Sequence, residues 1–227
     1  MIGRVRGAVF DFDGVLVDSE PLHFTALRDS LLAEGIPLEE PEYAARYLAY
    51  SDREAIRLVL EDRGFGFDGA RVDAIARRKA ELFGAAMPGI HFFPGARELV
   101  LRLSAQIPVG IASGARRPEI EAILEIAGLR PAFSVIVGAE DVARGKPDPE
   151  PYLTAAAGLR RRSTDVEPAA CIAFEDSVAG IASARAAGMK VVAVTNSYPA
   201  PRLTAAQKVV ASLADLSADS LEALFRD

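Results

Sequence analysis

Short apolar runs recur along the chain and stop abruptly at polar or small residues. Those at 8–10, 109–112, 135–137, 171–174, 191–194 and 209–211 are rich in valine, isoleucine and alanine. Runs of this length, uniform rather than alternating and bounded by turn residues, predict strands buried on both faces of a parallel sheet. Between most of them the apolar period lengthens to that of a helix. At 118–127, Ile120, Ile123, Leu124 and Ala127 fall on one face, and Gly128 fits the position just past a helix end. The segment 177–187 opens on a serine suited to capping and closes at Gly188, and 217–225 predicts a last helix with Leu221, Leu224 and Phe225 turned inward. Strand and helix alternate from residue 95 onward, which predicts an α/β fold with a doubly wound parallel sheet. Such sheets bind ligands outside the carboxyl ends of their strands.

The stretch 17–90 follows another rule. It shows no strand pattern, and 21–34, 42–48, 52–63 and 71–83 read as amphipathic helices. Gly35-Ile36-Pro37, Gly64-Phe65-Gly66 and Pro88-Gly89 separate them. The expectation is a Rossmann-like core made of 1–16 and 91–227, interrupted by an all-helical cap at 17–90 with hinges near 17–19 and 88–94. An insert at that point would lie over the end of the first strand, as a lid does.

Composition narrows the class further. Of 227 residues half are hydrophobic and 26% charged, the balance of a globular chain long enough for a sizeable core. A net charge of −6 argues against general affinity for nucleic acid or anionic membrane. There is no apolar run of membrane length and no signal-like segment ahead of Asp11, and the single cysteine, Cys171, sits in an apolar run as a small hydrophobe. A cytoplasmic monomer is the expectation.

The chemistry gathers where predicted strands end. Asp11 and Asp13 follow the first run, two residues apart and so on one side of an extended chain, with Gly14 free to turn. Acids held that close repel unless a metal or a shared proton offsets the cost. The pair also fits part of a calcium loop, yet Val15-Leu16-Val17 supplies none of the further oxygen ligands such a loop needs. Three more runs lead to polar groups: Ser113-Gly114, Gly145-Lys146-Pro147-Asp148-Pro149 and Glu175-Asp176-Ser177. Each alone has an ordinary reading as a turn, a solvated loop lysine or acids at a helix N-terminus. A doubly wound sheet gathers all of them on one rim, and that coincidence points to a site.

The ordered set D-x-D-G-V-L-V-D-S, S-G, G-K-P-D-P and F-E-D-S resembles the haloacid dehalogenase-like superfamily. The resemblance spans nearly the whole chain and includes the place of the helical insert, which is similar to the small cap of the phosphoglycolate phosphatase and β-phosphoglucomutase group. It implies Asp11 as nucleophile and Asp13 as general acid and base. It implies Mg²⁺ held by Asp11, the Asp13 backbone carbonyl and Asp176, with Glu175 either bound through water or orienting the metal's waters. Ser113, the Gly114 N–H and Lys146 would hold the phosphoryl group. The metal-free dehalogenases of the superfamily lack the second aspartate, so Asp13 with Glu175-Asp176 implies phosphoryl transfer.

The cap bears on what accepts the phosphoryl group. His23 in D-S-E-P-L-H, Arg53 in S-D-R-E and Lys79 in A-R-R-K resemble substrate-gripping positions of the phosphoglucomutases, as does Arg116 after the Ser113-Gly114 turn. His23 has a plain alternative as a packed or capping side chain, and Arg53 and Lys79 as solvated ones. The mutases carry a glycine in the cap loop ahead of the position of Arg53, where this chain has Ala49-Tyr50-Ser51. The preferred expectation is therefore a Mg²⁺-dependent phosphatase acting on a small phosphorylated metabolite. A phosphosugar mutase is the alternative within the family, and a non-catalytic phosphometabolite-binding domain the alternative outside it.

Overall fold

The computed structural model describes residues 3–48, 50–66 and 68–226, so Ala49 of the cap-loop comparison lies outside the described residues. The strands are β1 (Gly7–Phe10), β2 (Val17–Asp18), β3 (His91–Phe92), β4 (Val109–Ala112), β5 (Val135–Val137), β6 (Cys171–Glu175), β7 (Lys190–Val194) and β8 (Lys208–Val210). The helices are α1 (Glu20–Leu32), α2 (Glu40–Arg46), α3 (Asp52–Asp62), α4 (Gly69–Ala86), α5 (Ala96–Ser104), α6 (Arg117–Ile126), α7 (Glu150–Arg160), α8 (Val178–Ala186) and α9 (Ala218–Glu222).

Six strands form one parallel sheet in the order β5-β4-β1-β6-β7-β8. The chain winds away from β1 in both directions, so the topological switch point of the doubly wound sheet falls at β1. Phe10 pairs with Ile111 on one side and Phe174 on the other. One step further along, that register sets Asp11 level with Ala112 and Glu175. Both faces of β1 are buried, which is why its sequence runs apolar without alternation. Val9 packs in a cluster with Val137, Tyr152, Leu159, Ile181 and Ala184, so α7 and α8 cover that face. On the opposite face Phe10 stacks on Phe174 with ring centroids 4.3 Å apart.

The chain divides into two compact units, Met1–Asp18 with His91–Asp227, and Ser19–Ile90. The second has its own core of Leu27, Leu31, Tyr43, Ile56, Val59, Leu60, Val72 and Ile75, one apolar stripe from each of α1 to α4. Its two buried tyrosines keep their hydroxyls satisfied, Tyr43 donating to Glu20 at 2.5 Å and Tyr47 to Asp62 at 2.6 Å.

The pattern misread two places. Residues 17–18, assigned to a strand-free stretch, pair antiparallel with 91–92; a ladder of two residues is too short to show a period. The predicted helix at 217–225 is α9 followed by a 3₁₀ turn, Ala223–Phe225, with Leu221 buried and Leu224 and Phe225 half-buried. The expected caps hold: Ser177 Oγ accepts from the Gly180 N–H at 3.0 Å, and Gly128 and Gly188 end their helices at φ of 66° and 87°. No helix among the described residues is long and apolar enough to cross a membrane.

Candidate active site

β1 delivers Asp11 into a buried place and the chain then turns sharply. The Leu16 and Val17 N–H groups both donate to the Phe12 carbonyl, and Gly14 turns at φ 75°. Asp13 sits half-buried inside that turn. The glycine answers a second demand as well. A Cβ on Gly14 would lie 1.9 Å from Asp176 Oδ2, so only a bare backbone lets the turn meet the loop that follows β6.

Lys146 bridges two of the acids. Its ammonium lies 2.8 Å from Asp11 Oδ2 and 2.6 Å from Glu175 Oε1 and is largely shielded from solvent. It reaches them from the loop between β5 and α7, across the Gly145–Asp148 turn closed by the Asp148 N–H on the Gly145 carbonyl. Glu175 is wholly buried and fully engaged. Its Oε1 also accepts from the Tyr152 hydroxyl at 2.7 Å, and its Oε2 accepts from the Asp176 N–H, the Ser177 N–H and the Ser177 hydroxyl at 3.0–3.2 Å. A buried carboxylate is tolerable only with partners of this kind. Helix α8 must come close to close the network: a Cβ on Gly180 would lie 1.9 Å from Glu175 Oε1.

Asp11, Glu175 and Asp176 each offer an oxygen, and these atoms lie within 4.8 Å of one another. Three carboxylates and one ammonium leave an excess of negative charge in a place poor in water. Burial, chiefly, pushes the Asp11 carboxyl well above its usual range, with Glu175 and Asp176 adding to the push and Lys146 opposing it. Asp176 is pushed up to about 6, again mainly by burial, against the hydrogen bond from Ser197. Burial acts on Glu175 in the same direction, but Lys146 and Tyr152 outweigh it and hold that carboxylate below its ordinary value. A hard divalent cation is the partner that relieves such a donor set, so the residues fit one.

Ser113 lies at the end of β4, next to β1, with its N–H on the Val137 carbonyl and its Oγ accepting from the Ala115 N–H at 3.1 Å. Gly114 beside it borders open space. Arg116 is exposed at the start of α6. The other three predicted residues belong to the helical unit. Lys79 is buried there; its ammonium meets His23 Nδ1 at 2.7 Å and Asp52 Oδ2 at 2.9 Å, and His23 stacks on Phe83 at 4.2 Å. Arg53 is 65% exposed and ion-paired to Asp73.

Sequence reasoning missed Tyr152, Gly180 and Ser197. Tyr152 had a signal, a tyrosine on the apolar face of the helix opened by Gly145-Lys146-Pro147-Asp148-Pro149, whose buried hydroxyl needs a partner. Asn196 lies in the bend after β7, where its Nδ2 donates to the Gly14 carbonyl at 2.7 Å.

Known proteins are similar to this chain. The chain is 34% identical over 215 residues to hexitol phosphatase A of Escherichia coli, an alignment covering 94% of each chain. It is 31% identical over 228 residues to beta-phosphoglucomutase of Bacillus subtilis, covering 96% of this chain and 94% of the relative. The crystal structure of CbbY from Rhodobacter sphaeroides in complex with phosphate matches with a TM-score of 0.80 and 27% identity, over 94% of this chain and 96% of that one. A sequence profile of haloacid dehalogenase-like hydrolases matches residues 5–188, and with it the chain belongs to the haloacid dehalogenase-like hydrolase family.

Proposed function

We propose that this protein hydrolyses a small phosphate monoester, Asp11 taking the phosphoryl group before water does. The observation that carries the reading is Asp11 itself, a carboxylate at the switch point of the sheet, held by one ammonium at 2.8 Å and flanked by two further acids. An Asp11 oxygen attacks phosphorus, the bond from phosphorus to the ester oxygen breaks, and that oxygen leaves with a proton from Asp13. Water then attacks phosphorus and gives a proton to Asp13, while the bond to Asp11 breaks and releases inorganic phosphate.

Ser113 and the Gly114 N–H hold phosphoryl oxygens, and Lys146 faces the same group with its positive charge. Glu175 serves that step indirectly, since its oxygens are taken by Lys146, Tyr152 and the start of α8. Asp11, Asp176 and the Asp13 carbonyl are the groups that would hold Mg²⁺. Bound there, the ion offsets repulsion between an anionic nucleophile and an anionic substrate.

The test is steady-state phosphate release with Mg²⁺ across a panel of small sugar and polyol phosphates that includes β-glucose 1-phosphate, with sugar phosphates followed in parallel. Release from one or a few compounds, absent in Asp11→Asn, is the expected result. Activity of Asp11→Asn near wild type would overturn the nucleophile. Conversion of glucose 1-phosphate to glucose 6-phosphate without net release would instead establish a mutase. The resemblance to beta-phosphoglucomutase favours that second reading.

A further inference from the structure

Beyond the motif loops, a further loop of the same rim touches the acid cluster. β7 lies beside β6 with Ala193 opposite Glu175, so the residues after Val194 run past the point where Asp176 leaves the sheet. The Thr195 N–H donates to the Val210 carbonyl at 3.2 Å and ties the start of this loop to β8. The next two side chains grip two different motif loops. Asn196 Nδ2 donates to the Gly14 carbonyl at 2.7 Å, and the Ser197 hydroxyl donates to Asp176 Oδ2. Where Gly14 lacks a Cβ, the missing atom would sit 1.9 Å from Asp176 Oδ2 and 2.9 Å from Ser197 Oγ, so the three loops meet at that glycine.

The geometry points to Ser197 as a positioning residue for divalent-cation binding, acting by holding one oxygen of Asp176 so that the other is presented to the cation. The inference rests on the Mg²⁺ reading above. A short aspartate is otherwise free to turn about its Cβ–Cγ bond, and a fixed donor on one oxygen removes that freedom before the ion arrives. Partners of this sort, one step behind the ligands, change metal affinity about 10–100-fold when removed. Asn196 works alongside it on the turn that carries Asp13.

The test measures Mg²⁺ and Mn²⁺ binding to the whole protein by titration calorimetry, without substrate, for wild type, Ser197→Ala and Ser197→Thr, with Asp176→Asn as reference. Ser197→Ala is expected to bind both ions about 10–100-fold more weakly. Ser197→Thr, which keeps the hydroxyl, should bind near wild type, with urea midpoints of all three alike in the absence of metal. Wild-type affinity in Ser197→Ala overturns the inference and leaves the metal reading standing, as does equal weakening in Ser197→Thr. No ion binding by the wild type overturns both.

Discussion

At the scale of single residues one side chain bridges two acids of the cluster. Lys146 is the cation shared by Asp11 and Glu175, at 2.8 and 2.6 Å, and the Glu175 side chain has no solvent exposure to fall back on. Removing one member of such a group leaves charge buried without a partner, which costs about 3–5 kcal/mol. Lys146→Met should therefore lose both phosphate release and about that much stability in metal-free buffer near neutral pH. The sign of its pH dependence follows from Glu175. In the wild type Lys146 holds that carboxyl below its unfolded value, so the stability it contributes is present above the unfolded pKa and fades as pH falls through the folded one. In the variant burial acts unopposed by the ammonium, the folded state takes up the proton more readily, and acid relieves it. Urea midpoints of the two proteins should thus converge on going from pH 8 to pH 5, and a constant gap would refute the argument. The same residues show what the sequence could reveal. Asp11, Lys146, Glu175 and Asp176 stand in short motifs at strand ends, and the sheet's topology alone says that they converge. Tyr152 and Ser197 meet their acids across 23 and 21 residues of chain from helix and loop positions without a motif. Their roles come from packing, which a single sequence does not print.

At the scale of elements, α8 is unusual in where its third residue sits. Gly180 faces Glu175, and a Cβ there would stand 1.9, 2.0 and 2.1 Å from three atoms of the carboxylate group. Ordinary reasoning about helices favours alanine at such a position by about 1 kcal/mol. Here the overlap decides the sign. Glu175 cannot swing aside cheaply, because its oxygens accept from Lys146, Tyr152, Ser177 and two backbone N–H groups. Gly180→Ala should destabilise by about 1–3 kcal/mol, the usual cost of forcing extra volume into a packed site, and should slow catalysis by displacing Lys146. A rise in melting temperature with full activity would show that the helix moves away freely. The pattern of the chain predicted a helix and its serine cap here, since both are local. It carried no sign that α8 must approach β6 so closely, just as it carried no sign of the two-residue ladder between β2 and β3. Both are pairings between distant segments, and neither alters the local period.

At the scale of the molecule, two compact units with separate cores imply that acid need not weaken them equally. The helical unit contains His23, whose pKa is lowered to about 4 by burial first and by the neighbouring Lys79 ammonium second, with Asp52 opposing. Its Nδ1 faces Lys79 Nζ at 2.7 Å and so accepts a hydrogen bond from the ammonium; a protonated ring would place two cations in contact. Unfolded, the same histidine titrates near 6.5. Between those values the unfolded chain binds the extra proton and the folded one does not, so stability rises with pH there. The contribution is complete above pH 6.5 and is lost as the pH falls toward 4. Hydrogen exchange read by segment should show amides of Ser19–Ile90 losing protection between pH 7.5 and 5, after correction for intrinsic rates, more steeply than those of the sheet. His23→Asn removes the titrating ring while leaving an oxygen able to accept from Lys79. It should flatten the dependence in the helical unit and leave the sheet's unchanged. The same slope in wild type and variant would locate the acid response elsewhere, in the carboxylates paired along α3 and α4. A flattening confined to 19–90 would establish that a buried lysine and a neutral histidine set the acid limit of that unit.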